Sequence, residues 1–320
     1  MKTTSTLIVS TLLSGCLLFE EGKISETCDE LGTCAGISSG GIALAAKSET
    51  ESRWSASVLD GLGDQLDPAI SRDGQGEGLG PIVYDETDET IYIGIGESIR
   101  ILGTNSTDKR LGIPPLKDGI PLGGQALFIF QEEVGTGSQA GFLWVPYEDA
   151  EKGTVWPIAQ TQPSAIFPSA DTRSPSSSDA KTFAVLFHDS SKKPSIAEFE
   201  LLSSESELEI RLVPDGGFQN FDVMNGRSID AFKMLDGYAT CASTGAIFLV
   251  EELMNGNTDP ERYNAGLPGG AIVACDYEEE TDLVVLFSDD GNISWMDANN
   301  EIARSIKGPE SYRIVHGSTW

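Results

Sequence analysis

The sequence predicts an all-β chain arranged as a β-propeller of five to seven blades, and three observations lead to this expectation. Few windows keep the 3.6-residue apolar period of a helix for three turns. Brief runs of Ile, Val, Phe and Leu alternate with Gly, Asp, Asn and Ser turns, which is the pattern of short strands. The same layout recurs at roughly the 40–50 residues of a propeller blade. A pair of β-sandwiches, with a linker near 170–180, is the alternative.

Two stretches of the chain match each other closely. Residues 80–102 and 270–296 both read as strand, acidic turn, strand, tight glycine turn and strand. Because polar turns reverse the chain between neighbouring strands, each stretch predicts an antiparallel meander. The acidic turns Asp85–Glu89 and Glu278–Asp282 occupy equivalent positions, so we expect one rim of the ring to carry concentrated negative charge. Solubility and a saline habitat are alternative explanations of that charge.

Weaker copies of the module fill the interval between these two stretches. First strands are expected near residues 82, 126, 165, 229 and 272, and a loop insertion at Ser174–Asp179 accounts for the longest spacing. Near the chain ends, Trp54–Leu59 and Tyr312–His316 both resemble strands, and we expect them to complete one shared blade. Unassigned strands leave room for a sixth or seventh blade.

The first sixteen residues have the order of an export signal. Lys2 supplies a positive charge, Leu7–Leu13 is a short apolar stretch, and small residues follow. The ending Leu13-Ser14-Gly15-Cys16 resembles the lipobox of bacterial lipoproteins. The resemblance implies cleavage before Cys16, acylation of that residue and attachment to a membrane, and Leu17, in place of the Asp that retains such proteins at the inner membrane, favours the outer membrane. An ordinary secreted protein is the alternative.

The sequence therefore divides into three segments. Residues 1–15 are a lipoprotein signal peptide, residues 16–52 a lipidated flexible leader rich in Gly, Ser, Glu and Thr, and residues 53–320 the propeller-like domain. Beyond the lipobox, the likeness to bacterial propeller lipoproteins is one of layout only. A Trp-Asp blade ending and a repeated tryptophan motif are both missing, so no named propeller family is assigned.

The cysteines fit an exported protein. Apart from Cys16, four of the five remain, at Cys28, Cys34, Cys241 and Cys275, and an even number outside the cytoplasm favours disulfides. Cys241 lies in the middle strand of one module and Cys275 in the first strand of the next, so a bond between them would join two blades. Cys28 and Cys34 would then pair within the leader. Reduced thiols are the alternative.

The charge excludes one class of partner. The chain has 21 Lys and Arg against 50 Asp and Glu, a formal net charge of −29. A nucleic-acid-binding protein needs clustered basic residues that release counterions from phosphates, so nucleic acid is not an expected partner.

Metal and catalytic signals are sparse. Asp60, Asp64, Asp67 and Asp73 form an acidic, glycine-rich patch that offers oxygen ligands to calcium, although the EF-hand order is absent and a solvated loop is the simpler interpretation. No other cofactor is expected. His188 and His316 are the only histidines, and no Gly-x-Ser-x-Gly motif is present, so we assign no catalytic residue.

These observations favour a non-enzymatic lipoprotein at the outer membrane whose propeller presents a rim to a protein or an envelope polymer. Two alternatives remain open. One is a propeller lyase or hydrolase, which would bring acidic and amide residues from three or more blades to the central channel. The other is a calcium- or sugar-binding sensor, which would need a closed site lined with oxygen atoms.

Overall fold

The structure is a computed structural model of the whole chain, and it describes most of the sequence from residue 41 onward. The described ranges are 20–21, 41–59, 71–75, 78–85, 89–102, 107–109, 115–134, 137–146, 154–158, 162–169, 181–189, 191, 193–203, 208–213, 219–221, 228–234, 237–267, 270–279, 281–307 and 312–319. Within these ranges the chain is mostly β-strand with one short helix, as the sequence predicts. Among the described helices, none has the length and apolar composition needed to cross a membrane.

The described strands form six antiparallel sheets, which we number I to VI in chain order. Sheet I contains β25 (Tyr312–Thr319), β2 (Ile42–Ser48), β3 (Arg53–Leu59) and β4 (Ser71–Gln75). Sheet II contains β5 (Leu79–Asp85), β6 (Thr90–Ile95), β7 (Ser98–Leu102) and β8 (Thr107–Lys109). Sheet III contains β9 (Leu116–Pro121), β10 (Gln125–Val134), β11 (Gly137–Pro146) and β12 (Thr154–Ile158).

The remaining three sheets follow the same meander with small additions. Sheet IV contains β13 (Gln162–Pro168), β14 (Lys181–His188), β15 (Pro194–Ser203), β16 (Leu208–Leu212) and β17 (Gln219–Asn220). Sheet V contains β18 (Ser228–Met234), β19 (Gly237–Ala242) and β20 (Ile247–Leu249), followed by the short helix α1 (Val250–Met254). Sheet VI contains β21 (Ile272–Glu278), β22 (Leu283–Ser288), β23 (Asn292–Met296), β24 (Ile302–Lys307) and β1 (Glu20–Glu21).

The sheets are arranged around a central axis, with one inner strand from each. The inner strands contact one another in the order β25, β5, β9, β13, β18, β21 and again β25. Six apolar cores lie between neighbouring sheets, and the sixth joins sheet VI to sheet I. The arrangement of small antiparallel sheets is therefore propeller-like.

Each sheet is buried on both faces, which explains the continuous apolar runs in the sequence. In β2, Ile42 and Leu44 pack in the core shared with sheet VI, whereas Ala43 and Ala45 pack in the core shared with sheet II. Successive side chains of a strand point to opposite faces, so both sets must be apolar.

Sheet I combines β2, β3 and β4 with the last described strand, β25. Trp54–Leu59 lies within β3 and Tyr312–His316 within β25, as expected, but the two strands are separated by β2, which pairs with both. The sequence places Ile42–Ser48 in the flexible leader, so the domain starts earlier than residue 53. The run Ile-Ala-Leu-Ala-Ala does not predict a strand, because alanine has a low β propensity and glycines precede the run.

The inner strand of sheet III also differs from expectation. The sequence places a first strand near residue 126, but that segment is β10, the second strand, and β9 precedes it. Only Leu116 and Ile120 are large aliphatic residues in β9. The strand also contains Asp118, Gly119 and Pro121, which are residue types typical of turns, so the pattern does not indicate a strand. Close packing requires Gly119, because a Cβ atom there would overlap the Phe128 ring.

Candidate functional site

A small cavity lies on the axis of the ring, and every inner strand contributes to its lining. Its volume is about 50 Å³, which is room for a few water molecules. The polar lining residues come mainly from four sheets: Asp118, Asp230, Asp276, His316, Ser318 and Thr319. The lining residues that the structure describes include neither Lys nor Arg.

A repeated backbone irregularity sets three of these side chains in equivalent positions. In sheets III, V and I the inner strand carries one extra residue relative to its partner strand, namely Lys117, Ile229 and Val315. Such β-bulges redirect the side chains beside them. The residues that follow the extra residues are Asp118, Asp230 and His316, and all three line the cavity.

Each cavity aspartate connects two neighbouring sheets, a contact that we call an inter-sheet latch. One carboxylate oxygen accepts the N–H of the next residue in the same strand, and the other accepts an N–H from the inner strand of the following sheet. The acceptor and its two donors are Asp118 with Gly119 (2.7 Å) and Ile166 (2.8 Å), Asp230 with Ala231 (2.8 Å) and Cys275 (3.0 Å), and Asp276 with Tyr277 (2.8 Å) and Thr319 (2.8 Å).

His316 occupies the equivalent position in sheet I and connects three sheets. Its Nδ1 accepts the N–H of Ile82 in sheet II at 3.4 Å, and its Nε2 lies 2.7 Å from Oδ1 of Asp118 in sheet III. Since Nδ1 accepts this N–H, Nε2 is the ring nitrogen that donates to Asp118. Both imidazole nitrogens therefore make contacts that connect sheet I to its neighbours.

Three aspartates, Asp118, Asp230 and Asp276, line the same small cavity, so their negative charges act on one another. Burial raises the pKa of Asp230 well above its ordinary range, and the negative charges of Asp118 and Asp276 raise it further. The N–H groups of Cys275 and Ala231 act in the opposite direction, because they stabilise the ionised carboxylate. The arrangement favours retention of a proton at Asp230.

A disulfide lies beside the cavity. Cys241 in β19 and Cys275 in β21 are bonded in the structure, with Cα atoms 6.7 Å apart. Both cysteines are buried in the core between sheets V and VI. The Cys275 N–H also donates the inter-sheet hydrogen bond to Asp230. Cys16, Cys28 and Cys34 lie outside the described residues.

The two acidic turns open on one face of the ring, which we call the acidic face. Both turns join an inner strand to the second strand of its sheet, in sheets II and VI. They end in residues with left-handed backbone, Glu89 at φ 48° and Asp282 at φ 53°. The loop between the third and fourth strands of sheet VI opens on the same side and adds Asp297 and Glu301. Of the described acidic residues in these turns, Glu89, Glu279 and Glu301 are exposed.

The basic residue beside these turns is occupied within the protein. Arg262 is 4% exposed, forms an ion pair with Asp282 and donates to the Asp282 and Met296 carbonyl oxygens. The Tyr277 hydroxyl donates to the same Asp282 carboxylate at 3.0 Å, and burial together with this bond raises the pKa of Tyr277 to about 12. Arg262 therefore fixes the turn and is itself buried rather than presented on the acidic face.

Of the four candidate calcium ligands, the described structure contains only Asp73. Asp60, Asp64 and Asp67 lie outside the described residues, while Asp73 lies on strand β4 opposite Ser55. Over the described ranges, no three His, Cys, Asp or Glu side chains form a group able to hold a metal ion. His188 ends β14 and is buried.

Sequence reasoning missed the cavity cluster. The sequence places His316 in a closing strand and gives no indication of a strand around Asp118. The relevant signal is that both residues precede a glycine on an inner strand, Asp118-Gly119 and His316-Gly317.

Comparison with known proteins shows the fold alone. TolB from Acinetobacter baumannii is similar, with a TM-score of 0.54 and 13% identity over 89% of this chain and 67% of that chain. AztD from Citrobacter koseri has a TM-score of 0.39 and 14% identity over 84% of this chain and 74% of its own. Hsv2 from Kluyveromyces lactis has a TM-score of 0.42 and 12% identity over 81% and 75%. No protein-family profile matches the chain, and no curated protein sequence matches it.

Proposed function

We propose that this protein is a lipid-anchored, non-enzymatic protein of the bacterial outer membrane and that its acidic face binds a basic partner. The observation that carries the proposal is the pair of equivalent acidic turns in sheets II and VI, which open on the same face with exposed carboxylates. A surface of one charge sign attracts partners of the opposite sign.

A six-bladed propeller is the architecture proposed for this binding surface. Each described sheet has an apolar core on both sides, and the inner strands contact one another all the way round. Each sheet then corresponds to one blade. A ring of this kind presents many turns on each face, so a single face can carry a broad contact surface.

The membrane anchor is proposed from the lipobox. Leu13-Ser14-Gly15-Cys16 supplies the acylation site, and the segment beyond it reaches the ring by Ile42 at the latest. The tether between the acylated cysteine and the ring is therefore at most about 25 residues. Leu17 favours the outer membrane rather than the inner one.

The proposed partner is a basic segment of a protein or of an envelope polymer. The exposed side chains of the acidic turns include the carboxylates of Glu89 and Glu279, whereas Arg262 is buried against Asp282. Ionic contacts at an exposed surface weaken with salt, so binding should fall as the salt concentration rises.

The test compares two faces of the same protein. Wild-type protein and the variants Glu279→Lys, Glu89→Lys and Glu97→Lys are used for affinity capture from native envelopes. Glu97 is exposed in the tight turn between β6 and β7, on the opposite side of sheet II from Glu89, and is the matched control. We expect the acidic-face variants to lose a partner that the control retains, and equal capture by all variants would refute the proposal.

A second function, a hydrolase or lyase with its site in the cavity, is favoured by one observation. Carboxylates from three sheets meet there beside a histidine. Against it, the carboxylates already accept backbone N–H groups and the cavity admits only a few water molecules. Turnover of a glycan or lactone panel that Asp118→Asn and His316→Ala both abolish would favour the enzyme.

A further inference from the structure

The cavity cluster has a property that binding at the acidic face does not use. Asp118, Asp230 and Asp276 come from sheets III, V and VI, and each connects its sheet to the next. Three of the junctions between sheets therefore depend on carboxylates that share one cavity. Their charge state must influence how firmly the ring is held.

We propose that this cluster is a proton-sensitive latch, which takes up a proton at a higher pH than an ordinary aspartate does and then holds the ring more firmly than it does when all three carboxylates are ionised. The geometry supplies the reason, because three carboxylates that face one small cavity repel one another when all are ionised. One proton removes one charge from the cluster and relieves that repulsion.

The groups that face Asp230 can be named for each element packed against β18. From β21 come Asp276 and the disulfide-bonded Cys275, and from β19 come Tyr238 and the disulfide-bonded Cys241. The strand β13 carries no titratable side chain, and β14, which also contacts β18, carries Lys181 and His188. Across the cavity lie Asp118 of β9 and His316 of β25, whose Nε2 is 2.7 Å from Oδ1 of Asp118.

The direction of the pH effect follows from proton binding. Burial and the charge of Asp118 raise the pKa of Asp230 in the folded protein, so the folded state binds a proton at a pH where the unfolded chain has lost it. A group of this kind stabilises the fold at low pH, and its contribution is lost as the pH rises through the folded-state pKa. Stability should therefore increase as the pH falls from neutral toward the ordinary titration range of aspartate.

A second buried carboxylate, that of Glu278, also increases stability as the pH falls. The experiment must distinguish its contribution from that of the cluster. Burial raises the pKa of Glu278, which lies outside the cavity and accepts hydrogen bonds from Trp295 Nε1 at 2.9 Å and Thr281 Oγ1 at 3.0 Å. The general repulsion of a chain with net charge −29 also weakens on acidification. The experiment must distinguish the cavity from both.

The experiment measures thermal unfolding of the full-length protein in detergent between about pH 8 and about pH 5. The salt concentration is about 1 M, where screening over ~3 Å suppresses surface repulsion but not a buried interaction. The wild-type midpoint should rise by at least ~2 °C as the pH falls. Asp230→Asn should lose most of that rise, because the amide does not titrate, although its nitrogen cannot accept the second N–H of the latch.

Two controls and a direct measurement make the result decisive. Glu97→Gln removes an exposed charge and Glu278→Gln removes the other buried carboxylate, and both should keep the part of the rise that comes from the cluster. A carboxyl titration by NMR on aspartate-labelled wild-type protein should show one aspartate that titrates well above the others. Asp118→Asn should lower that titration midpoint, which also tests the proposal if Asp230→Asn does not fold.

Two results would overturn the proposal: an undiminished pH dependence in folded Asp230→Asn, or aspartates that all titrate in the ordinary range. Neither result affects binding at the acidic face, because Asp230 lies on the axis and Glu279 on the rim. An experiment that refutes the proton-sensitive latch therefore leaves the proposed function untouched, and the reverse also holds.

Discussion

The carboxylate of Asp276 accepts two hydrogen bonds from Thr319, one from the backbone N–H and one from the hydroxyl, both at 2.8 Å. Asp276 belongs to sheet VI, and Thr319 is the last residue of β25 in sheet I. This pair therefore closes the junction between the sheet that holds both ends of the domain and the sheet before it.

Loss of the Asp276 carboxylate should open that junction. We expect Asp276→Ala to lower the free energy of unfolding by about 3 kcal/mol, because N–H and hydroxyl donors lose a charged acceptor. The matched variant Thr319→Val removes only the hydroxyl and should cost about 1 kcal/mol. Urea unfolding followed by tryptophan fluorescence measures both, and equal stability of Asp276→Ala and wild type would contradict the assigned contact.

The disulfide should contribute through the loop it closes. Cys241 and Cys275 are 34 residues apart, and a loop of that length corresponds to about 3–4 kcal/mol in the chain-entropy description. The double variant Cys241→Ala/Cys275→Ala should lose about that amount, measured in urea against oxidised wild type. Peptide mapping without reduction provides the direct check, and free thiols at both positions or a Cys28–Cys241 peptide would contradict the bond.

A glycine on the closing strand should tolerate no side chain. At Gly317 an added Cβ atom would overlap the Phe287 ring of sheet VI. Gly317→Ala should therefore destabilise the protein by about 1–3 kcal/mol through overpacking. Adding Phe287→Leu to this variant should recover part of the loss, and a double-mutant cycle measures the coupling. Purely additive effects would show that the ring is not the obstacle.

The lipid anchor should depend on a single sulfur atom. Cys16→Ser should abolish labelling by a fatty-acid analogue and release the protein from membranes, because both attachment and processing require the thiol. Cys28→Ser is the matched control and should remain membrane-bound. Membrane association of Cys16→Ser at the wild-type level would place the anchor elsewhere.

The sequence predicts the general architecture well because its signals are local. The acidic turns, the strands around them and the cysteines of adjacent modules are all visible from alternation of apolar runs and turn residues. The strands β2 and β9 are not, because Ala43, Ala45 and Gly119 are small for reasons of close packing between sheets. Small residues at such positions resemble linkers and turns.

The cavity cluster depends on relationships that no local pattern contains. Asp118 and His316 are separated by 198 residues and meet only because six inner strands surround one axis. The β-bulges that set Asp118, Asp230 and His316 in equivalent positions add one residue each and have no distinct sequence signature. Side chains at the axis become neighbours only once the ring of sheets has assembled.

The make-up of sheet I has a consequence for biosynthesis. Its second strand, β2, is among the first parts of the domain to be translated, yet its partner β25 follows every other described strand. Until β25 is synthesised, the apolar faces of sheet VI and of β2 have no complete cover. The ring therefore cannot close until β25 has been synthesised, and closure has to bring together strands that are far apart in the sequence, which is expected to make it a slow step of folding.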